Sequence, residues 1–441
     1  MFVVNIDSIV LCVIVMTDVW LPCGKTTVCV RVQTRNSLGL IDPVQKIGVA
    51  EPRIEIERAI KEPIGTRRLS ESVKPESKIV IIVDNVVDKS YVELMILSVL
   101  DELNVVGVKD ECVTVIVGCD LCGVVGSDDF MRFFGEAVLK RVRVVGHDVM
   151  AGDLVYVGAT KSFGTRVFLN RVFVEADVRI LLGFVNVHSY AGYSGGRQGV
   201  FGVCGVETVR SNGVMMLNGG AVAGVLDGNP VHKDMTEVAR LAGVNFIVNL
   251  VVNSQGEIVR AFAGDLEAAF LEAVKLVDEM CRVVVDRRAD IVVVSAGGYL
   301  VDGDLYQACS ALDNVLDVVK RGGVIVLVAD CVRGYGNQVF YDWMVRLGDL
   351  KSFEKELKRN FVMGGHRAYF LLKVLQNHQV ILVSSLPDYY VSDVFRLKSA
   401  RAVNDALAEA YKIAGSNSRV WVVSAGCYTL STYKSPEEAK T

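Results

Sequence analysis

The chain is predicted to fold as two α/β domains with mainly parallel, helix-covered sheets and a ligand cleft between them. Three observations carry this prediction. Short continuous runs of β-branched residues recur along the 441 residues, amphipathic helical stretches separate them, and glycine or acidic residues follow run after run. Continuous apolar runs mark strands buried on both faces, and burial of that kind between helices means parallel pairing. The composition suits it: 51% hydrophobic residues and only 8 prolines supply large cores.

The first series begins with Lys78–Val83 (KIVIIV), which ends at Asp84, continues with the helical periodicity of Tyr91–Leu103, and returns to a buried strand at Val113–Gly118. Arg141–Val145 and Asp177–Leu182 are further strands, and the helical stretch Leu266–Arg282 changes the rhythm. A second series follows: Ile291–Ser295, Val324–Ala329, Val380–Ser384 and Val420–Ser424. The change of rhythm predicts an N-terminal domain over 1–275 and a C-terminal domain over 276–441. Lys351–Arg359 (KSFEKELKR) reads as a charged helix face and Lys434–Thr441 as a frayed polar tail. Residues 1–16 are apolar, but Asn5 and Asp7 interrupt them and the run is too short to span a bilayer, so a poorly placed start codon or an added first strand is expected rather than an anchor.

Several function classes are set aside by composition. A formal net charge of -4 supplies no global basic field for nucleic acid. The 11 cysteines are scattered through apolar runs, which predicts reduced, buried thiols and a cytoplasmic protein without a membrane partner. Cys119 and Cys122 form a CxxC with no second pair. His147, His188, His232, His366 and His378 include no i, i+4 pair that would seat zinc on one helix face. Gly334-Tyr335-Gly336 is too short for a dinucleotide fingerprint.

In parallel sheets, ligands sit beyond the carboxyl ends of the strands. That rule selects Asp84, Gly118–Gly123, Gly183–Gly205, Gly297–Gln307 and Asp330–Gly336. The richest of these is GFVNVHSYAGYSGGRQGVFGVCG, where many glycines permit close backbone approach and His188, Tyr190, Ser194, Arg197 and Gln198 are displayed. It predicts a site for a small anionic ligand.

These residues also carry a resemblance. Leu21-Pro22-Cys23-Gly24-Lys25, Glu62-Pro63-Ile64-Gly65, Gly146-His147-Asp148, Glu175-Ala176-Asp177-Val178, the run from His188 through Ser194-Gly195-Gly196-Arg197, Glu207-Thr208, Asp227-Gly228-Asn229-Pro230, Gly297-Gly298-Tyr299 and Leu305-Tyr306-Gln307 occur in one order through most of the chain. The sequence resembles the nickel-dependent lactate racemase family, which racemises or epimerises 2-hydroxy acids with a nickel pincer nucleotide. The resemblance implies an acid/base role for His188, substrate contacts from Asp84, Tyr306 and Gln307, and cofactor contacts from Ser194, Gly195, Gly196 and Arg197 within a cofactor loop over 183–213.

The same correspondence exposes departures. The first acid/base histidine falls on Cys122-Gly123, the carboxylate-binding arginine on Val87, and the carboxylate-binding lysine on Ser310. The lysine that anchors the pincer falls on Gln198, the nickel-ligand histidine on Gly213, and one proline of the pattern is missing before Gly202. A tethered pincer needs an amine, nickel needs its donor, and a carboxylate needs a cation. The expectation is a divergent member that holds a small anion in the cleft with pincer anchoring and nickel ligation lost, so that no metal ligand is assigned. The alternatives are a non-catalytic binding or partner subunit, as a homo-oligomer or beside an active homologue, and an active 2-hydroxy-acid racemase with substituted site residues.

Overall fold

A computed structural model describes residues 15–83, 89–118 and 127–435. The chain enters as an antiparallel hairpin, β1 (Met16–Cys23) and β2 (Thr26–Gln33), followed by a short strand β3 (Ser37–Ile41). Then comes the first α/β unit: α1 (Pro52–Lys61), β4 (Ile79–Val83), α2 (Lys89–Asn104), β5 (Val113–Val117), α3 (Ser127–Arg141), β6 (Arg143–Gly146) and β7 (Val178–Phe184). It closes with α4 (Val206–Val214), α5 (Pro230–Leu241), β8 (Phe246–Val252), β9 (Ile258–Gly264) and α6 (Ala268–Cys281).

The first sheet has the order β9-β8-β7-β4-β5-β6. All neighbours are parallel except β8 and β9, which pair antiparallel at the edge. The strand sequence explains the layering. Ile79, Ile81 and Val83 point into a core shared with Ile56 of α1 and Val92, Met95, Ile96 and Val99 of α2, while Val80 and Ile82 point the other way, into a core that contains Phe270 and Ala273 of α6. A run of branched apolar residues satisfies both faces at once, each buried side chain contributing about 1.5–3 kcal/mol.

The second sheet is built from β10 (Ala289–Ser295), β11 (Val319–Val328), β12 (Gln379–Val383), β13 (Lys398–Ala400) and β14 (Val420–Val423). Its order is β13-β12-β11-β10-β14-β3, parallel throughout. Its helices are α7 (Leu305–Ala308), α8 (Ser310–Val315), α9 (Gln338–Arg346), α10 (Leu350–Arg359), α11 (Gly365–Leu375) and α12 (Val403–Ala414). One face packs Ile291 and Val293 with Val403, Ala406 and Leu407 of α12 and with Leu21, Val30 and Val32 of the entering hairpin. The strands of the first sheet thus precede α6 and those of the second follow it, except for β3, which crosses over to complete the second one.

In both sheets the chain reverses direction of growth beside a central strand, between β4 and β7 in the first and between β10 and β14 in the second. Such switch points leave a crevice at the carboxyl ends. Among the described residues no helix is long and apolar enough to cross a membrane.

Candidate functional site

Beyond β7, Val187–His188 pairs antiparallel with Gly192–Tyr193, so that Ser189, Tyr190 and Ala191 form the tip of a tight hairpin. Asn229 pins this hairpin. Its Nδ2 donates to the carbonyls of Tyr190 (2.9 Å) and Val225 (3.0 Å), while its Oδ1 accepts from the Val231 and His232 amides and caps α5.

His188 is held by the hairpin itself. Its Nδ1 accepts from the backbone N–H of Ala191 at 3.2 Å and of Tyr190 at 3.4 Å. A ring nitrogen that faces two donors carries a lone pair, so the proton of the neutral ring sits on Nε2. The residue as a whole is half-buried, and dense protein surrounds the ring; desolvation first, then the charges of Arg197 and Arg367, push its pKa down to about 3. At neutral pH the side chain is an uncharged hydrogen-bond donor.

Arg197 is 1% exposed. Its guanidinium donates to Gly195 O (3.0 Å), Ala191 O (3.0 Å) and His232 Nδ1 (3.1 Å), and stacks 4.3 Å over the Phe270 ring. Desolvation pulls its pKa down to about 9, and among the described residues it forms no ion pair with a carboxylate. Ser194 Oγ is likewise occupied at home, donating to Phe184 O (3.2 Å) and accepting from Asn186 N (3.0 Å). Gly195 and Gly196 both have positive φ, and a Cβ on Gly196 would overlap the Phe270 ring. The Gly196 amide donates to Asn249 Oδ1 at 3.1 Å. Gln198 Oε1 is buried without a hydrogen-bond partner.

The opposite wall comes from the second domain. Asp313 of α8 accepts from Ser189 Oγ (2.8 Å) and from Arg367 of α11 (2.6 Å), and Arg367 also donates to Ser310 Oγ (3.1 Å). Burial works to depress the Arg367 pKa, but Asp313 and its neighbours outweigh that and hold it above the usual value. The Tyr190 ring lies between the halves, edge-on to His188 (4.5 Å) and to His366 (5.8 Å) and stacked on Phe370 (6.0 Å). Tyr306 sits edge-on to His366 at 6.2 Å, so it belongs to this cluster. Gln307 does not join it: it is exposed and accepts from Arg333 at 3.2 Å.

His366 and Arg367, 5% and 8% exposed, are the residues that motif reading misses. The available signal was Gly364-Gly365-His366-Arg367, a polar pair opening a helix directly after two glycines. His366 Nδ1 and Arg367 Nε are buried and unpartnered, and desolvation, then Arg367 and His188, drive the His366 pKa well down. Gly213 of α4 faces this wall too, and a Cβ there would overlap the ring of Phe361, which stacks on His366 at 6.2 Å.

Other candidates resolve as structure. His147 is fully buried, with Nε2 on Cys204 O (2.9 Å) and Nδ1 on Asn170 (3.2 Å), and Cys204 donates to Val200 O. Asp84, Val87, Cys119, Cys122 and Gly123 lie outside the described residues. Among those described, no group of three or more His, Cys, Asp and Glu could hold a metal ion.

Residues 23–224 match the lactate racemase N-terminal domain family and residues 284–430 the lactate racemase C-terminal domain family. The lactate racemase of Thermoanaerobacterium thermosaccharolyticum is 30% identical over 422 residues, covering 93% of this chain and 98% of that one. The lactate racemase of Lactiplantibacillus plantarum is 28% identical over 425 residues, covering 93% and 99%. The structure of the Thermoanaerobacterium thermosaccharolyticum lactate racemase apoprotein superimposes with a TM-score of 0.86 at 29% identity, over 94% of this chain and 100% of that one.

Proposed function

The chain belongs to the lactate racemase family, and from that premise we propose that it is a divergent member that binds a small 2-hydroxy acid, or an anion of similar size, in the cleft between its domains. The observation that carries this reading is Arg197, a buried cation with no acidic partner among the described residues, close enough to His188 to depress it. An uncompensated buried charge costs several kcal/mol, roughly, and a bound anion offsets it. His188 then presents Nε2–H to an oxygen of the ligand, Tyr306 lines the far side, and Ser194 to Arg197 shape the loop. Asp84 and Gln307 keep their substrate-side assignment on the resemblance alone.

The nickel pincer nucleotide of the family does not fit the residues at its two attachment positions. Gln198 has no amine to form a covalent link, and Gly213 offers no donor, with the Phe361 ring in the space a donor side chain would need. The second reading, an active racemase with substituted residues, is favoured by one observation, the arrival of His366 and Arg367 at the cleft from α11.

Expression together with the cofactor-making enzymes tests the proposal. The expected product has the unmodified intact mass, lacks stoichiometric nickel, and shows a Tm raised by lactate. A stoichiometric adduct on the chain, or no stabilisation by any small 2-hydroxy acid, overturns it.

A further inference from the structure

The cleft holds two imidazoles in unlike states. His188 Nδ1 is taken up by two backbone amides, which leaves Nε2–H as a donor. His366, across the Tyr190 ring, leaves Nδ1 without a partner in a buried setting. Of the other histidines, His147 and His232 have Nδ1 engaged by Asn170 and Arg197; His378 also has a free Nδ1 but follows α11, away from this cluster. Beside His366, Arg367 spends two nitrogens on Asp313 and Ser310 and leaves Nε unpaired. Buried polar atoms are seldom left unpaired, and two on neighbouring residues of one helix turn, both packed beside Tyr306, call for a ligand that supplies both complements.

We propose that His366 and Arg367 form the half of the site that selects the ligand: Arg367 Nε donates to the carboxylate of a 2-hydroxy acid, and His366 Nδ1 accepts from its 2-hydroxyl. This rests on the anion-binding reading above. A hydroxyl can give its hydrogen to His366 Nδ1 and so pair it. A keto oxygen only accepts and leaves His366 Nδ1 unpaired, which predicts discrimination for 2-hydroxy over 2-keto acids. The cation comes from α11 through a guanidinium that reaches Ser310, so the site does not depend on a lysine at position 310.

Calorimetric titration with L-lactate, D-lactate and pyruvate tests the assignment on the wild-type chain, on His366→Phe, which keeps an aromatic ring among Phe361, Tyr190 and Tyr306, and on the double variant Asp313→Asn/Arg367→Gln, which removes both buried charges together. The wild type is expected to prefer lactate over pyruvate by at least about tenfold, the factor that one unpaired buried acceptor costs. His366→Phe is expected to bind both acids alike, and the double variant neither. In wild-type protein labelled with 15N-histidine, lactate is expected to move the His366 Nδ1 resonance and pyruvate to leave it in place, a readout that needs no variant to fold. An unchanged preference in His366→Phe, an unmoved His366 resonance on lactate binding, or wild-type affinity in the double variant overturns this assignment alone. Failure of the wild type to bind lactate and pyruvate overturns the cleft reading with it.

Discussion

Phe361 and Gly213 face each other across the two halves of the chain, the ring of one filling the volume that any side chain at the other would claim. The contact joins the segment after α10 to the buried face of α4.

Gly213→Ala sets two effects against each other. Alanine favours a helix interior by about 1 kcal/mol, whereas forcing a methyl into a filled space costs about 1–3 kcal/mol. Because the obstacle is a buried aromatic ring rather than the end of a flexible chain, overpacking wins. Gly213→Ala is expected to lower stability in urea denaturation, and Phe361→Leu in the same chain to restore part of the loss.

Arg197→Lys tests how the glycine-rich hairpin is held. A guanidinium serves Gly195 O, Ala191 O and His232 in three directions, and an ammonium cannot reproduce that fork. The substitution is expected to cost about 2–4 kcal/mol, seen as a lower midpoint in denaturant. A shift within experimental error would show that the carbonyls find other partners.

Asp313 gathers Ser189 and Arg367 at the domain junction with side chains about one-tenth exposed. Asp313→Asn leaves the guanidinium buried without a counter-charge, and the expected loss is about 3–5 kcal/mol. Adding Arg367→Gln removes that orphan charge and is expected to recover much of it. Equal losses in the single and double variants would mean that packing, not charge pairing, dominates.

Acid weakens the fold in a defined window. His188 and His232 are pushed down to about 3 and about 4 from 6.5, by desolvation first and then by Arg197, with Arg367 also acting on His188. The unfolded chain takes up these protons below about pH 6.5 while the folded chain refuses them, so stability is full above that value and falls as the pH drops toward about 4, by up to about 1.4 kcal/mol per unit for each group. Denaturation at about pH 7 and about pH 5 measures the slope, and His188→Asn should flatten it. An unchanged slope in that variant would show that His188 is protonated in the folded chain.

The strands were legible because a fully buried strand needs branched apolar residues on both faces. Ile79–Val83 and Ala289–Ser295 therefore announce themselves. The hairpin at His188 was legible for a related reason, since polar side chains among glycines after a strand have no core to fill. The opposite wall was not. His366 and Arg367 open a helix that is buried nearly all round, and nothing local in α11 tells that its first turn meets Tyr190 of the other domain. Nor does anything local in the loop tell that the Arg197 guanidinium is enclosed between His232 and the Phe270 ring. Likewise β3 is five residues with no diagnostic period, and its place beside β14 follows from long-range pairing alone.

That pairing, Ser37 with Val420, has a consequence for biosynthesis. The edge strand of the second sheet is made before the first domain, and its neighbour well after it. The early segment, with the apolar side of its hairpin, must wait unpaired while the entire first domain is synthesised. Closing so long a loop is entropically slow and comes after the local contacts have formed. Completion of the second sheet therefore waits until β14 has been made, and the waiting strand edge is the surface on which chaperones or misassembly would compete.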